Sequence, residues 1–316
     1  MSSPATETSS VQAKRPSSLL LAISLATMLV MWSFNYVAGK TALRYFDGLT
    51  LAALRVEIAG LIFLPIYFLR GNPGSLNRRD VWTLSYLGWF LCANQVLFTV
   101  GLAYTTSGHS SMILAIGPIL VLLLARAMKI EALTTAKIAG MALAFTGAVI
   151  LAAENGFDLR RSPTLSGDLI TLLGTTCFTF YVVLSKKAAS KYHSIEMNAV
   201  NFFASAIVLL PVAIFLAARL DWKSVPLEGW MGLLYMAAIS SVAAYTLFYW
   251  ALRYMEASRV AAVNYFQPIG AILVAALFLG EVPTRDLLLG GLLILLGVYL
   301  AERGKTTAAK VGVLGN

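Results

Sequence analysis

Ten apolar runs, each about 20 residues long, limit what this chain can fold into, because a helix of that length spans the hydrocarbon core of a bilayer. The runs cover residues 18–39, 49–69, 81–104, 110–127, 132–152, 167–185, 197–217, 228–251, 259–279 and 286–301. Since lipid contains no water to bond the backbone, each run is predicted to be a helix. Charged residues make up 12% of the chain, about half the share of a soluble domain. The sequence therefore predicts an all-α polytopic membrane protein with ten transmembrane helices.

Charge, cysteine usage and motifs exclude several other classes of protein. The net charge is +9, but the basic residues form short clusters between apolar runs, which indicates membrane orientation rather than nucleic-acid binding. Cys92 and Cys177 lie inside apolar runs, so they predict neither a disulfide framework nor a thiolate metal site. His109 and His193 have no neighbouring ligand pattern, and the sequence contains no nucleotide-binding or hydrolase motif. We expect no catalytic residue, no metal, no cofactor and no nucleic-acid partner.

The two halves of the chain align with each other at a nearly constant offset. A shift of 150 residues pairs the following positions: Tyr104 with Tyr254, Pro118 with Pro268, Glu131 with Glu281, Thr134 with Thr284, Gly140 with Gly290 and Gly147 with Gly297. A shift of 146 residues pairs Lys40 with Lys186 and Pro65 with Pro211. The difference of four residues falls in the loop after the second helix of each half, where insertions are tolerated. The pattern predicts a duplicated unit of five helices.

A unit with an odd number of helices begins and ends on opposite sides of the membrane. The second copy therefore crosses the membrane in the opposite orientation to the first. Accordingly, Lys40 follows its helix on one side of the membrane and its repeat mate Lys186 follows its helix on the other. Inverted-topology repeats allow two nearly equivalent conformations, one open to each face, around a site near the midplane. This symmetry predicts a secondary transporter that moves a small metabolite by alternating access. Two alternatives stay open: a membrane enzyme or flippase acting on lipid-linked substrates, and a passive channel.

The distribution of basic residues predicts the orientation of the chain. If the N-terminus is cytoplasmic, sixteen lysines and arginines lie in inner segments and seven in outer segments. Both termini are therefore predicted to be cytoplasmic, in a multi-pass protein of the plasma membrane, which is the inner membrane of a bacterium. We divide the chain into a disordered tail at 1–16, a first repeat at 17–152, a linker at 153–166, a second repeat at 167–303 and a cytoplasmic tail at 304–316.

Several residues of the duplicated unit resemble the EamA family of the drug/metabolite transporter superfamily. The segment 278–281, Phe-Leu-Gly-Glu, with the Thr and Gly positions that follow it, is similar to the end of a helix-loop-helix unit of that family. A weaker copy begins at Ile130-Glu131 and lacks the preceding glycine, and Leu54-Arg55 followed by Pro65 is also similar. The resemblance implies ten helices and the export of amino acids or related metabolites, although other members move sugars, nucleotides or drugs.

Polar and aromatic residues inside the apolar runs are predicted to line one cavity, because polar groups are costly in lipid and usually face the protein interior. The candidate substrate-binding residues are Trp32, Asn35, Asn94, Gln95, Tyr181, Tyr245, Tyr249, Asn264 and Gln267. Amides and aromatic rings suit a neutral or zwitterionic solute. The alternative is that the amides only join helices through hydrogen bonds.

The remaining candidates concern coupling and movement. If protons drive the cycle, Glu57 is the preferred coupling residue, because burial favours the neutral form of a carboxylate, and His109 is the second candidate. Pro118 and Pro268 occupy matching positions and are candidate hinges, since proline frees a backbone carbonyl and kinks a helix. Arg55 is interpreted as an anchor that reaches outward to helix-end carbonyls, although its repeat mate Asn201 is also polar, which favours a position facing the interior. The oligomeric state has no sequence signal.

Overall fold

The structure is a computed structural model that describes residues 16–70, 76–127, 134–153, 164–255, 260 and 266–303. Within these residues the secondary structure is helical. The helices are α1 (Ser18–Ala42), α2 (Gly48–Arg70), α3 (Arg78–Tyr104), α4 (Ser107–Ala115), α5 (Gly117–Ala127), α6 (Thr135–Ala153), α7 (Leu165–Lys191), α8 (Ser194–Ala217), α9 (Leu227–Leu234), a π-helix (Tyr235–Ala243), α10 (Ala244–Tyr254), α11 (Gln267–Leu279) and α12 (Arg285–Arg303).

Six of these helical segments are long and apolar enough to cross a membrane. They are 18–42, 48–69, 78–104, 165–185, 194–217 and 227–254, the last of which includes the π-helix. Two shorter apolar helices, Ser107–Val121 and Gln267–Leu279, lie among them. Long apolar helices connected by short loops identify a multi-pass membrane protein.

Two of the predicted runs contain irregular backbone at their centres. The run 110–127 is divided into α4 and α5 at Ile116, directly before Gly117 and Pro118, and Pro118 has no N–H to continue the helix. The run 228–251 includes the π-helix between α9 and α10. The hydrophobic pattern of the sequence does not indicate the π-helix. A π-helix has about one more residue per turn than an α-helix, but in a run that is apolar on all sides this change leaves no mark on the pattern. Both irregular segments lie at the middle of their helices, a common location for functional sites.

Capping residues that can be identified in the local sequence begin or end several helices. Ser17 accepts a hydrogen bond from the Leu20 backbone at 3.2 Å and begins α1. A capping box of Asn77 and Asp80 begins α3, satisfying two backbone donors reciprocally. Gly280 ends α11 with a φ of 68°, in the left-handed region that favours glycine.

Glycines allow close contact between α6 and α12. A Cβ atom on Gly147 would lie 2.4 Å from the Gly290 carbonyl oxygen, and one on Gly297 would lie 2.5 Å from that of Gly140. Such distances require glycine at both positions. The repeated glycines therefore serve helix packing, as their positions in the two halves predict.

The contacts between helices of the two halves occur in matching pairs. In each pair, both helices of one contact are replaced by their repeat mates in the other. Helix α3 packs on α7, and α1 packs in the same way on the segment α9–π–α10. Helix α1 also contacts α11, and α7 contacts α4 and α5. The helices α2 and α8 pack on each other, as do α6 and α12. The contacts between the halves surround a cavity at the centre of the bundle.

Candidate functional site

A single central cavity collects most of the predicted binding residues. It has about 810 Å³ of empty space, its opening to solvent included. Helices of both halves contribute its wall: Trp32, Asn35, Arg55, Asn94, Gln95, Phe98, Leu114, Gly117, Pro118, Val121, Thr175, Phe178, Thr179, Val182, Tyr245, Phe248 and Gln267. Such a wall, mostly apolar with a few polar groups, is typical of metabolite sites.

The cavity amides differ in what they bond. Asn94 Nδ2 donates to the Gly174 carbonyl oxygen at 3.1 Å and so joins α3 to α7. Gln267 Nε2 donates to the Tyr36 hydroxyl at 3.4 Å. Asn35 Oδ1 and Gln95 Nε2 are buried and have no hydrogen-bond partner among the described residues. The first two amides therefore join helices, whereas each of the other two has a polar atom that no described residue bonds.

Arg55 is a cavity residue, in the interior-facing position that its polar repeat mate Asn201 favours. The alternative prediction, an anchor that bonds helix-end carbonyls, is wrong. Its side chain is 2% exposed, and Nε donates to Ser241 Oγ at 2.9 Å. Ser241 in turn donates to the Met236 carbonyl oxygen five residues earlier, at 2.9 Å. The π-helix therefore provides the hydroxyl that orients Arg55, and this contact depends on a helix 186 residues away.

Aromatic rings form one side of the cavity. Trp32 lies edge-on to Tyr245, with ring centroids 5.4 Å apart, and 5.8 Å from the Phe248 ring. Phe178 is 6.1 Å from Phe248. The Trp32 Nε1 donates to the Ser240 carbonyl oxygen at 3.2 Å, which fixes the indole against the π-helix. These rings present a rigid apolar surface to a bound solute.

Two of the predicted binding residues are not part of the cavity wall, and a third lies outside the described residues. Tyr181 and Tyr249 are buried beside the cavity but are not part of its wall. Their hydroxyls accept hydrogen bonds from Asn201 Nδ2 at 2.9 and 3.4 Å, so they join α7, α8 and α10. Asn264 lies outside the described residues.

Eight residues of the cavity wall are repeat mates of one another. At the offset of 146 residues Trp32 pairs with Phe178. At the offset of 150 residues the pairs are Gln95 with Tyr245, Phe98 with Phe248 and Gly117 with Gln267. Equivalent positions of the two halves therefore line the same cavity.

The candidate hinges lie at or next to the cavity. Pro118 forms part of the wall and is the second residue of α5, the helix that follows the break at Ile116. Pro268 occupies the first turn of α11, directly after the cavity residue Gln267. Both prolines therefore lie where a helix begins, at or next to the cavity wall.

His109 lies away from the cavity, in a polar cluster where helix ends of both halves meet. Its Nδ1 lies 3.0 Å from Asp168 Oδ2, and Asp168 also accepts a hydrogen bond from the Thr105 hydroxyl. Lys40 donates to the Thr105 carbonyl oxygen. Glu281 accepts from Ser107, at 3.0 Å from its backbone N and 3.1 Å from its Oγ.

We call this group the His109 cluster and define it as Lys40, Thr105, Ser107, His109, Asp168 and Glu281. Within it, the glutamate of the repeated motif has a structural role. Gly280 turns the chain at positive φ, so that Glu281 caps the first turn of α4 with a negative charge.

The opposite ends of α3 and α7 carry a second, smaller cluster. Lys191 Nζ donates to Asp80 Oδ1 at 2.7 Å and to the Tyr192 hydroxyl at 2.8 Å. These hydrogen bonds, the one to Asp80 first, raise the pKa of Lys191 above its usual value. Together with Thr105 and Asp168 at the other end, this cluster fastens α3 to α7 at both ends.

Glu57 is half-buried on α2 and is not part of the cavity wall. Its Oε1 is buried and has no hydrogen-bond partner among the described residues. No group of three or more His, Cys, Asp or Glu side chains in the described part of the chain is arranged to hold a metal ion.

Comparison with known proteins gives a consistent result. An uncharacterized transporter of Archaeoglobus fulgidus is 25% identical, over 89% of this chain and 98% of that protein. An uncharacterized transporter of Bacillus subtilis is 24% identical over 90% and 92% of the two chains. A probable terminal-alkyne amino-acid exporter of Streptantibioticus cattleyicolor is 25% identical over 89% and 92%.

A solved crystal structure and a family match complete the comparison. The crystal structure shares the fold with a TM-score of 0.65, at 19% identity, over 92% of this chain and 100% of that one. The EamA-like transporter family matches residues 18–153 and again residues 165–302. The relatives are named as transporters rather than enzymes. With its family unit present twice, this chain belongs to the EamA-like transporter family.

Proposed function

We propose that this protein is a secondary transporter that exports amino acids or related small metabolites across the bacterial inner membrane by alternating access. The observation that carries the proposal is the central cavity, whose wall contains equivalent positions of both repeats. A site built by two copies of one unit allows the units to exchange roles, so that the cavity faces each side in turn. The amino-acid exporter among the relatives supports the substrate class.

The proposal includes ten transmembrane helices arranged as two inverted five-helix repeats, at 17–152 and 167–303 with the linker 153–166 between them. In this arrangement α4 and α5 together form one span, and α9, the π-helix and α10 together form another. Helix α11 belongs to the ninth span, which corresponds to the predicted run 259–279. The exchange of helix contacts between the halves supports this arrangement. The tails 1–16 and 304–316 are almost wholly outside the described residues and stay predictions.

We also propose that both termini are cytoplasmic. The sixteen-to-seven distribution of basic residues supports this orientation. A reporter that is active only outside the cytoplasm, fused after residue 305, is expected to be inactive. Activity of that reporter would reverse the orientation.

The alternatives are less well supported. A membrane enzyme acting on lipid-linked substrates needs clustered acidic or histidine groups at the interface, whereas the His109 cluster uses its charged groups to cap and join helices. A passive channel does not need a site built from repeat mates. A flippase would bind an amphipathic lipid in the same cavity, and a transport experiment separates that case from a soluble metabolite.

The decisive experiment measures uptake and counterflow in proteoliposomes that contain the full-length protein, with the twenty protein amino acids as solutes. We expect saturable uptake of at least one amino acid and acceleration by the same solute on the opposite side, because alternating access exchanges bound solute. Electrical conductance without saturation would indicate a channel instead. Absence of saturable flux for the whole panel would contradict amino-acid transport.

A further inference from the structure

Arg55 is a buried cation with unused hydrogen-bonding capacity at the wall of the central cavity. Its side chain is 2% exposed, and its Nη1 has no hydrogen-bond partner among the described residues. The one hydrogen bond found for the guanidinium there joins Nε to Ser241. A guanidinium has five N–H donors and keeps its charge at all physiological pH values. Arg55 therefore offers donors that the described protein does not use.

The cavity provides no opposite charge for this cation. Its wall contains amides, hydroxyls, aromatic rings and aliphatic groups, but no aspartate or glutamate among the described residues. The carboxylate nearest in sequence, Glu57, is two positions further along α2, where side chains point to a different face. A charged residue inside a membrane protein is costly and is normally paired. A bound solute with a negative charge can supply the missing counter-ion.

We propose that Arg55 binds the carboxylate of the transported solute, which makes a carboxylate the determinant of substrate recognition. This inference rests on the proposed transport function of the same cavity. The fork of N–H donors matches the two oxygens of a carboxylate. Ser241 holds Nε and thereby orients the fork, and the π-helix places Ser241 one turn from Tyr245 of the aromatic wall.

Two further polar atoms suit the charged groups of an amino acid. Asn35 Oδ1 is a buried acceptor without a partner in the described chain, as required to bind an ammonium group. Gln95 Nε2 is a buried donor without a partner there, as required to bind a carboxylate oxygen. The rings of Trp32, Phe178 and Phe248 lie on the same cavity and form a surface for an apolar side chain. A solute with a carboxylate, an ammonium group and an apolar side chain satisfies all three features.

The test compares three probes that differ only in their charged groups. Phenylalanine has both groups, 3-phenylpropanoate has only the carboxylate and phenethylamine has only the ammonium group. Binding to the purified full-length protein in nanodiscs is measured by calorimetry for wild type, Arg55→Gln, Arg55→Lys and Arg219→Gln. Arg219 is an exposed arginine outside the cavity, so its variant is the matched control. Circular dichroism verifies the helix content of each variant.

We expect wild type and Arg219→Gln to bind phenylalanine and 3-phenylpropanoate more tightly than phenethylamine. Arg55→Gln is expected to weaken binding of both carboxylates about 30-fold or more, since an anion loses its buried cationic partner. Arg55→Lys should recover part of this loss, because lysine keeps the charge without the fork. Phenethylamine should bind no more weakly to Arg55→Gln than to wild type.

Three results would overturn the proposal: equal binding of phenethylamine and 3-phenylpropanoate by wild type, unchanged carboxylate binding by a folded Arg55→Gln, or no binding of any probe. Because binding is measured without flux, these results are separate from failure of the transport function. Saturable flux of an amine with no carboxylate would reject this inference and leave the transporter intact. Carboxylate binding without any flux would retain the inference and reject the transport function.

Discussion

The central cavity and the His109 cluster each bring polar side chains of the two halves together, yet they differ in how those groups are bonded. In the His109 cluster Asp168 bonds Thr105 and lies 3.0 Å from His109, and Glu281 bonds Ser107 twice. In the cavity, polar atoms of Asn35, Arg55 and Gln95 have no partner within the described residues.

This difference separates structural polar groups from binding groups. A buried donor or acceptor that is left unpaired costs about 1 to 3 kcal/mol, so a network with its partners present stabilises the arrangement of its helices. Unpaired groups around an empty space reduce stability until a ligand bonds them. We therefore interpret the His109 cluster as a contact that holds two helix ends together in this conformation, and the cavity as the place where a solute completes the bonding.

The largest expected effect in this comparison concerns three of the predicted binding amides. Asn35→Leu, Asn264→Leu and Gln267→Leu are each expected to reduce transport about 10-fold with little change in expression, on the prediction that each amide provides a polar group to the solute, in the case of Gln267 in addition to its bond to Tyr36. Uptake rates in proteoliposomes, normalised to protein content, measure the effect. Thr146→Leu, on the exposed face of α6, is the control for the same kind of substitution. Normal transport by all three variants would show that these amides only join helices.

The His109 cluster should respond in stability rather than in solute binding. Asp168→Asn weakens the contacts to His109 and Thr105, and a loss of about 1 kcal/mol lowers the melting temperature by roughly 2 to 4 °C. Thermal unfolding of the purified protein, with and without phenylalanine, measures both properties. Asp221→Asn, in an exposed loop, should leave the melting temperature unchanged. If Asp168→Asn abolished stabilisation by the solute, the distinction between the two regions would fail.

The smallest expected effect concerns Glu57, which belongs to neither region. We propose that Glu57 carries the coupling proton, because its Oε1 is buried and unpaired in the described chain. Glu57→Gln should then remove the stimulation of uptake by an imposed pH gradient and change counterflow without a gradient by no more than about twofold, since exchange needs no net proton movement.

The comparison variant for this measurement is His109→Gln, the second coupling candidate. Stimulation that persists in Glu57→Gln but is lost in His109→Gln would move the role to the histidine. Wild-type uptake that is insensitive to the gradient would reject proton coupling for this protein.

Much of the helical framework could be predicted from local sequence. The predicted run 49–69 corresponds to α2 at Gly48–Arg70, and the run 81–104 ends at Tyr104 as α3 does. The duplication also follows from residue spacing, and the family unit indeed matches the chain twice. Six of the nine predicted binding residues lie on one cavity, because a polar group inside an apolar run is directed to the interior whatever its neighbours are.

The tertiary structure decided which polar residues have partners. The sequence determined that the chain forms long apolar helices in two related units, since helix length and hydrophobicity are local properties. It did not determine the position of Arg55, whose contact is with Ser241 in the π-helix 186 residues away, nor the pairing of His109 with Asp168. Those properties depend on how each helix is rotated against its neighbours. That rotation is decided by packing across the whole bundle, at glycine contacts such as those between α6 and α12 and at hydrogen bonds between the two halves.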